Sequence, residues 1–378
     1  MSVRVAARDA EDRGESADQR VDSSPSSAGR ILDVRDFSVS YGSGGEAVPA
    51  IDRVSFGLAR GRVLGIAGES GSGKSTLVYA ITRLLRPPGI ISGGRALFTV
   101  PGADGEEDQV LDLTRASARE LRAVRWSQIS VVLQSALSAL DPVVRVGRAF
   151  DEVLRAHRRA MSKAQRHDRA VELLSMVGLN EDRLARYPHE LSGGQRQRVM
   201  IALALALDPA LVIMDEPTTA LDVVTQREII TELYALRQRF GFAMIFITHD
   251  LSLLVELADE IVVMYAGAIV ERAPARELYG APRHPYSLGL LHSFPPLHGE
   301  RRELVGIPGS PPDFSHLPDG CRFHPRCPYV MDVCRTHAPV LASLDGGRSV
   351  ACWLHRDDRA VPVELRSAVP SATDGGVT

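Results

Sequence analysis

Hydrophobic and polar positions divide this chain of 378 residues into a polar lead-in, a long patterned body and a polar end. Residues 1–30 mix Asp, Glu, Arg and Ser with too few apolar side chains to build a core, and residues 357–378 have the same character; both are expected to be disordered tails. From Ile31 the pattern changes. Leu32, Val34, Phe37 and Val39 alternate in the manner of a half-buried strand, and Val54–Leu58 reads as another. Val63–Ala67 is a short unbroken apolar run, as expected of a parallel strand buried on both faces, and it leads into a glycine-rich stretch. Helical character follows from Lys74 to Leu85 and stops at Pro87-Pro88-Gly89. Leu211–Met214 and Ala243–Ile247 are two more buried-strand runs, and Ile261–Glu271 reads as a hairpin. Arg145–Arg159, Ala164–Val177 and Gln195–Leu207 read as helices, with Val171, Leu174 and Val177 on one buried face. Apolar strands of this kind alternating with helices place the body in the α/β class.

Composition narrows the picture without identifying it. Apolar residues make up 44% and charged residues 24%, the balance of an ordinary globular protein. A net charge of -3 offers no general attraction to nucleic acid or anionic lipid, so no nucleic-acid partner is expected. The longest apolar stretch, Val199–Leu207, is cut by Asp208-Pro209 and is too short for a membrane span. The first residues lack the apolar segment of a signal peptide, and Asp9, Glu11, Asp12 and Glu15 are foreign to a mitochondrial presequence. A cytosolic location is expected.

Candidate chemistry sits at the ends of the buried strands. Gly68-Glu69-Ser70-Gly71-Ser72-Gly73-Lys74-Ser75 is a P-loop in the strand, loop, helix context such a loop demands. Gly68, Gly71 and Gly73 permit the tight turn that aims backbone N–H groups at phosphate oxygens, and the helix N-terminus adds partial positive charge. Lys74 is placed to reach the outer phosphates and the Ser75 hydroxyl to bind Mg²⁺; Ser70, Ser72 and Thr76 belong to the same phosphate site. Asp215-Glu216 closes the Leu211–Met214 strand. There Asp215 suits a Mg²⁺ ion held mainly through water, and Glu216 suits orientation or deprotonation of an attacking water.

In this order and company, Leu191-Ser192-Gly193-Gly194-Gln195 resembles the signature motif of the ATP-binding cassette (ABC) ATPases. The resemblance extends to Asp222, in the D-loop-like run Pro217–Asp222, and to His249, in the place of the switch histidine that contacts the γ-phosphate. Tyr41 is similar to the aromatic residue that stacks on adenine, and Gln134 to the Q-loop glutamine that ties Mg²⁺ to the contact with a transmembrane partner. The loop departs from many members in following Gln134 with Ser135-Ala136 rather than an acid and proline, while Leu140-Asp141-Pro142 is kept. The implied fold is a P-loop NTPase with a mixed-sheet core, an antiparallel β subdomain and a helical subdomain over about residues 135–205, the whole ATPase domain spanning 31–280. In the family the anion site formed by Ser192, Gly193, Gly194 and Gln195 faces a nucleotide held by another subunit. One P-loop and one signature without an internal repeat therefore imply a second cassette on a separate chain, expected to be a paralogous partner.

The C-terminal third resembles the extension of oligopeptide/dipeptide importer ATPases. The residues that carry this are His284-Pro285-Tyr286-Ser287, Pro308-Gly309-Ser310-Pro311-Pro312, Gly320–Pro328 and Ala351-Cys352-Trp353-Leu354, within an extension expected over 281–356. It holds all four cysteines, Cys321, Cys327, Cys334 and Cys352, spaced C-x5-C-x6-C-x17-C. A reducing compartment disfavours disulfides. A zinc site completed by His324 or His337, a 4Fe–4S cluster whose charge Arg322, Arg326 and Arg335 would offset, and unliganded thiols are the three readings of the residues; the resemblance implies the cluster.

The expected function is an ATP-hydrolysing subunit, peripheral on the cytoplasmic face of the cell membrane, that powers peptide import. The implied partners are two permease subunits and an extracytoplasmic solute-binding protein, the cofactors ATP and Mg²⁺. Nickel and glutathione-like solutes are alternatives, because relatives that carry them have similar ATPases. A soluble ABC regulatory ATPase without a permease is the reading from another functional class.

Overall fold

The computed structural model describes residues 29–42, 47–102, 106–134, 140–219, 221–293, 306–356 and 361–366. Residues 1–28 of the expected N-terminal tail, Ser135 to Ala139 of the Q-loop and residues 367–378 lie outside them. Strands β1 (Arg30–Tyr41), β2 (Val48–Ala59), β4 (Gly89–Val100) and β5 (Gln109–Asp112) make an antiparallel sheet in the order β2-β1-β4-β5. β1 starts at Arg30, one residue before the expected boundary, because Arg30 pairs with Ala59 and its guanidinium binds Asp33 at 2.8 Å. The step of three between the buried residues Val34 and Phe37 breaks the strand alternation. A register shift resolves it: Asp36 takes φ 45°, and the chain then resumes with Phe37 and Val39 inward.

The second sheet holds the core. β3 (Val63–Ala67), β6 (Ile129–Val132), β7 (Leu211–Asp215), β8 (Ala243–Ile247) and β9 (Glu260–Tyr265) are parallel in the order β9-β3-β8-β7-β6. β3, β7 and β8 are buried at every position, which is why their sequences are unbroken apolar runs rather than alternations. Each fully buried Val, Leu or Ile contributes about 1.5–3 kcal/mol relative to exposure. One face packs against the antiparallel sheet through Leu64, Ile66, Ile213 and Ile245; the other meets the helices through Val212, Met214 and Phe246.

Helix α1 (Lys74–Ile81) follows the P-loop and is shorter than expected. Thr82 turns its hydroxyl back onto the Val78 carbonyl at 2.7 Å, and Arg83 takes φ 58°, which ends the helix before Leu85. Helix α2 (Ala118–Val124) precedes β6. The helical subdomain consists of α3 (Val146–His157), α4 (Lys163–Met176) and α5 (Gly193–Ala204). Leu174 and Val177 are buried as expected, but Ala170 and Leu173 complete that face and Val171 only lies against it. Helices α6 (Val223–Phe240), α7 (Leu251–Leu257), α8 (Ala275–Gly280) and α9 (Pro285–His292) complete the body.

The C-terminal region is not simply appended to this body. β10 (Ala268–Pro274) pairs with β9 and also with β12 (Arg348–Val350), which pairs with β11 (Ala342–Leu344), so the region after residue 281 adds two strands to the core sheet. Within the stretch expected to be a tail, residues 361–366 pack: Leu365 is fully buried beside Leu288, Val350, Cys352 and Leu354. A single apolar anchor gives too weak a sequence signal to separate it from a polar tail. Among the described residues no helix is long and apolar enough to cross a membrane.

Candidate functional site

The P-loop gets its shape from its glycines. Gly68, Gly71 and Gly73 have φ of 150°, 78° and 103°, a region that residues with a Cβ rarely enter. At Gly68 sterics reinforce this, because a Cβ would lie 2.3 Å from the Met264 carbonyl oxygen. Lys74 is almost fully buried. Its ammonium donates to the carbonyls of Gly68 at 2.7 Å and Glu69 at 2.8 Å, which leaves the third N–H for another acceptor. Burial lowers its pKa, opposed by the negative charges of Glu216, Asp215 and Glu69.

Beside the loop stand the two acids of β7. The Ser75 hydroxyl donates to Asp215 Oδ1 at 3.1 Å. Asp215 is fully buried and its Oδ2 has no hydrogen bond of ordinary geometry, although the Tyr79 hydroxyl is near enough to favour the carboxylate. Burial raises the pKa of Asp215, and burial together with Asp215 pushes Tyr79 up to about 12. An orphaned buried carboxylate oxygen next to a serine hydroxyl fits a hydrated divalent cation.

Glu216 has φ 46°, a strained setting for a residue with a side chain. Its Oε2 accepts from Gln134 Nε2 at 2.8 Å and Thr219 Oγ1 at 3.1 Å, and its Oε1 lies 3.7 Å from His249 Nδ1. The contact with His249 is the main cause of its lowered pKa, which keeps it an ionised acceptor; the same contact raises the pKa of the half-exposed His249. Tyr41, Ser70, Gly71, Gly73, Lys74, Ser75, Thr76, Gln134 and Glu216 line one cleft of about 400 Å³ with Val48, Ala50 and Phe314. The Tyr41 hydroxyl is 3.3 Å from Thr76 Oγ1, which fixes the ring at the cleft wall.

Other expected site residues fall outside that lining. Gly68 shapes the loop from behind, and the Ser72 side chain is buried with its N–H directed to the Glu69 carbonyl at 3.2 Å. Ser192 caps α5, accepting from Gln195 N–H at 3.2 Å while the Gln195 side chain accepts from Ser192 N–H at 3.2 Å. Asp222 caps α6 by accepting from Thr225 N–H at 3.0 Å. These two caps are neighbours. A Cβ on Gly194 would meet Thr225 Cγ2 at 2.7 Å, and one on Gly193 would meet Leu221 at 3.3 Å. The signature thus meets the Asp222 end of the D-loop-like run, and neither Ser192 to Gln195 nor Asp222 lines this chain's own P-loop cleft.

Sequence reasoning missed the contacts made by Glu69. The Arg326 guanidinium grips both its carboxylate oxygens, at 2.7 and 2.9 Å, and its backbone N–H donates to the Tyr286 hydroxyl at 2.7 Å. Arg322 likewise binds Asp52 and the Ala266 carbonyl. Two of the three arginines expected to offset a cluster's charge are therefore committed to the ATPase domain. Tyr265, Tyr286 and Phe323 pack edge-on beneath them, with ring centroids 4.6–5.4 Å apart. A P-loop acid two residues after the strand end and paired arginines in Cys321–Cys327 are visible in the sequence, but nothing there joins them.

The four cysteines are free and lie close enough for Cys321, Cys327 and Cys334 each to raise the pKa of a neighbouring thiol. Burial is the larger cause and lifts Cys327 to about 11 and Cys352 to about 12. Among the described residues, no three of His, Cys, Asp or Glu are arranged to hold a single metal ion. His324 Nδ1 faces the Cys321 carbonyl oxygen and His337 Nδ1 the Thr336 hydroxyl.

The ABC transporter family matches residues 51–219, and the oligopeptide/dipeptide transporter C-terminal region matches residues 270–334. The oligopeptide transport ATP-binding protein OppD of Salmonella typhimurium is 44% identical over 331 residues, covering 87% of this chain and 95% of that protein. The dipeptide transport ATP-binding protein DppD of Escherichia coli is 40% identical over 334 residues, 88% of this chain and 99% of that protein. Among solved structures, the dimeric post-hydrolysis state of the ATP-binding cassette MJ0796, bound to ADP and Pi, aligns with a TM-score of 0.56 at 29% identity, covering 65% of this chain and 99% of that one. With a P-loop cleft of this geometry and both family regions in a single polypeptide, the chain belongs to the ABC transporter ATPases, in the family of oligopeptide and dipeptide transport ATP-binding proteins.

Proposed function

We propose that this chain is the peripheral, cytoplasmic-face ATPase subunit of an importer of oligopeptides or dipeptides, working as one of two cassettes. The observation that carries the reading is the convergence of Lys74, Ser75, Gln134 and Glu216 on one cleft, with Asp215 bonded to Ser75 just behind its wall, while Ser192 to Gln195 are not part of its lining. ATP would lie with its base against Tyr41 and its phosphates over the N–H groups of the loop and the start of α1. Lys74, with two N–H bonds held by the loop, has its third for a phosphate oxygen. Ser75, Gln134 and Asp215 are the residues to hold Mg²⁺, which supplies charge neutralisation at the phosphates. Glu216, kept ionised, accepts a hydrogen bond from the attacking water and sets its direction; His249, tied to Glu216, is placed to contact the γ-phosphate. The first-turn N–H groups of α5 that the cap leaves unbonded, together with the Ser192 hydroxyl hydrogen, complete the site on a partner cassette, because a helix N-terminus attracts an anion.

The solute follows from the relatives, whose names specify oligopeptide or dipeptide transport. Two permeases and a solute-binding protein are the partners such transport needs. The test is reconstitution of this chain with its partner ATPase, permeases and binding protein in vesicles. Peptides should raise ATP hydrolysis above the basal rate; stimulation by nickel or glutathione alone would reassign the solute.

For the cysteines the donor chemistry favours a 4Fe–4S cluster on Cys321, Cys327, Cys334 and Cys352. The four thiols lie near enough for Cys321, Cys327 and Cys334 to raise a neighbour's pKa, and an all-cysteine donor set is the one such a cluster takes. The cluster would brace the fold or respond to redox state. Anaerobically purified protein should carry iron and visible absorbance, both lost on Cys334→Ser; a colourless, iron-free sample at full iron supply would remove the cluster.

A further inference from the structure

The C-terminal region also reaches the nucleotide cleft itself. Phe314, far beyond Lys74 in the chain, lines the same cleft as Tyr41, Val48 and Thr76. It begins a short turn, Phe314–His316, that packs on β2 and is closed by Asp313 accepting from Ser315 N–H at 2.9 Å. The ring lies over Gly267, where a Cβ would approach Phe314 Cε1 to 3.2 Å. Gly267 in turn donates its N–H to the P-loop Ser72 carbonyl at 2.9 Å and accepts from Asp52 N–H at 2.9 Å. The segment leading to Phe314 is held at its other end too, since Arg326 donates to the Pro308 carbonyl at 2.7 Å while gripping Glu69. The ring therefore stands on a frame bonded to the phosphate loop, half-buried, with its remaining surface toward the cleft.

We infer that Phe314 is a nucleotide-contacting residue, a second aromatic wall for the base or ribose of ATP that the C-terminal region adds to the wall formed by Tyr41. This rests on the reading of the cleft as the ATP site. An aromatic face attracts any purine through stacking and apolar contact without reading its edge, so Phe314 adds affinity rather than discrimination between ATP and GTP. It also gives the C-terminal region a direct hold on nucleotide affinity.

The test is nucleotide binding by the full-length chain, measured by displacement of a fluorescent ATP analogue with ATP, GTP and inorganic tripolyphosphate. Removing one base-stacking aromatic weakens binding about tenfold. Phe314→Ala should therefore weaken ATP and GTP about tenfold and leave tripolyphosphate unchanged, with Phe314→Trp close to the unaltered chain. Phe314→Leu, which keeps apolar bulk over Gly267, should fall between and guards against misfolding of the alanine variant. Equal losses for ATP and tripolyphosphate would mean that Phe314 only supports the loop, and unchanged ATP affinity would mean that it touches no nucleotide; either overturns the inference alone. If the unaltered chain binds ATP no better than a Lys74→Ala chain does, the reading of the cleft falls with it.

Discussion

Removing the Arg326 side chain should loosen the P-loop from a distance of 257 residues in sequence. Arg326 is only 5% exposed, binds both oxygens of Glu69, donates to the Pro308 carbonyl and lies 5.8 Å over the Tyr265 ring. Arg326→Met keeps much of the apolar stem but leaves the Glu69 carboxylate, 26% exposed, without its partner. Breaking a buried pair on one side costs about 3–5 kcal/mol; partial access of water to Glu69 argues for the lower end, about 3 kcal/mol. For a domain of this size that is a fall in melting temperature of about 6 °C. Glu69→Gln with Arg326→Met should recover part of the loss, because no unpaired charge remains. The assay is a double-mutant cycle by urea denaturation on Glu69→Gln, Arg326→Met and the double variant, with ATP affinity measured alongside. A coupling energy of about 2 kcal/mol and weaker ATP binding by Arg326→Met are expected. Additive single effects, with coupling under about 0.5 kcal/mol, would refute the proposed clamp.

Other consequences follow from single groups. The Glu216 contact raises the pKa of His249 above its ordinary 6.5, so the stabilisation it contributes is present below that value and lost as pH rises through the folded pKa. An NMR titration should find the His249 pKa elevated and returning toward 6.5 in Glu216→Gln; no movement would break the assigned pairing. His284 is the opposite case: burial, with a lesser push from His355, holds it at about 3. Its contribution is present above pH 6.5 and falls by about 1.4 kcal/mol per pH unit below it, because only the unfolded chain takes up the proton. His284→Gln should flatten the stability profile between pH 6.5 and 5, and an unchanged slope would show that His284 is charged in the fold. In the P-loop, Gly71→Ala meets nothing within 4 Å and should cost only the left-handed backbone, about 1 kcal/mol. Gly68→Ala collides with the Met264 carbonyl and should cost about 3 kcal/mol or more, together with ATP binding. Equal urea midpoints for these two variants would contradict the geometry.

Legibility in the sequence followed the range of the interaction. The unbroken apolar runs of β3, β7 and β8 and the loop and acids at their ends were readable because burial and phosphate chemistry restrict those positions locally. Gln134 and His249, singled out by the resemblance, both meet the Glu216 carboxylate, a contact that their separate motifs do not encode. β4 and β5 were not foreseen, since Gly93-Gly94 interrupts the alternation and most outward positions are half-exposed. β11 and β12, three residues each, carry too short a pattern to reveal that they extend the core sheet. The Arg326 grip on Glu69 and the seat of Phe314 depend on how distant segments pack, which no local pattern encodes.

The central claim is that Glu216 directs water onto ATP held by Lys74 in this chain's cleft, with the signature of another cassette closing the site. The direct measurement uses the assembled transporter and a photoreactive ATP labelled at the α-phosphate, crosslinked to this chain and scored as ATP or ADP after a single turnover. With Glu216→Gln the bound label should remain ATP, with conversion slowed about 100-fold or more at undiminished binding. Near-normal conversion to ADP by that variant would contradict the account.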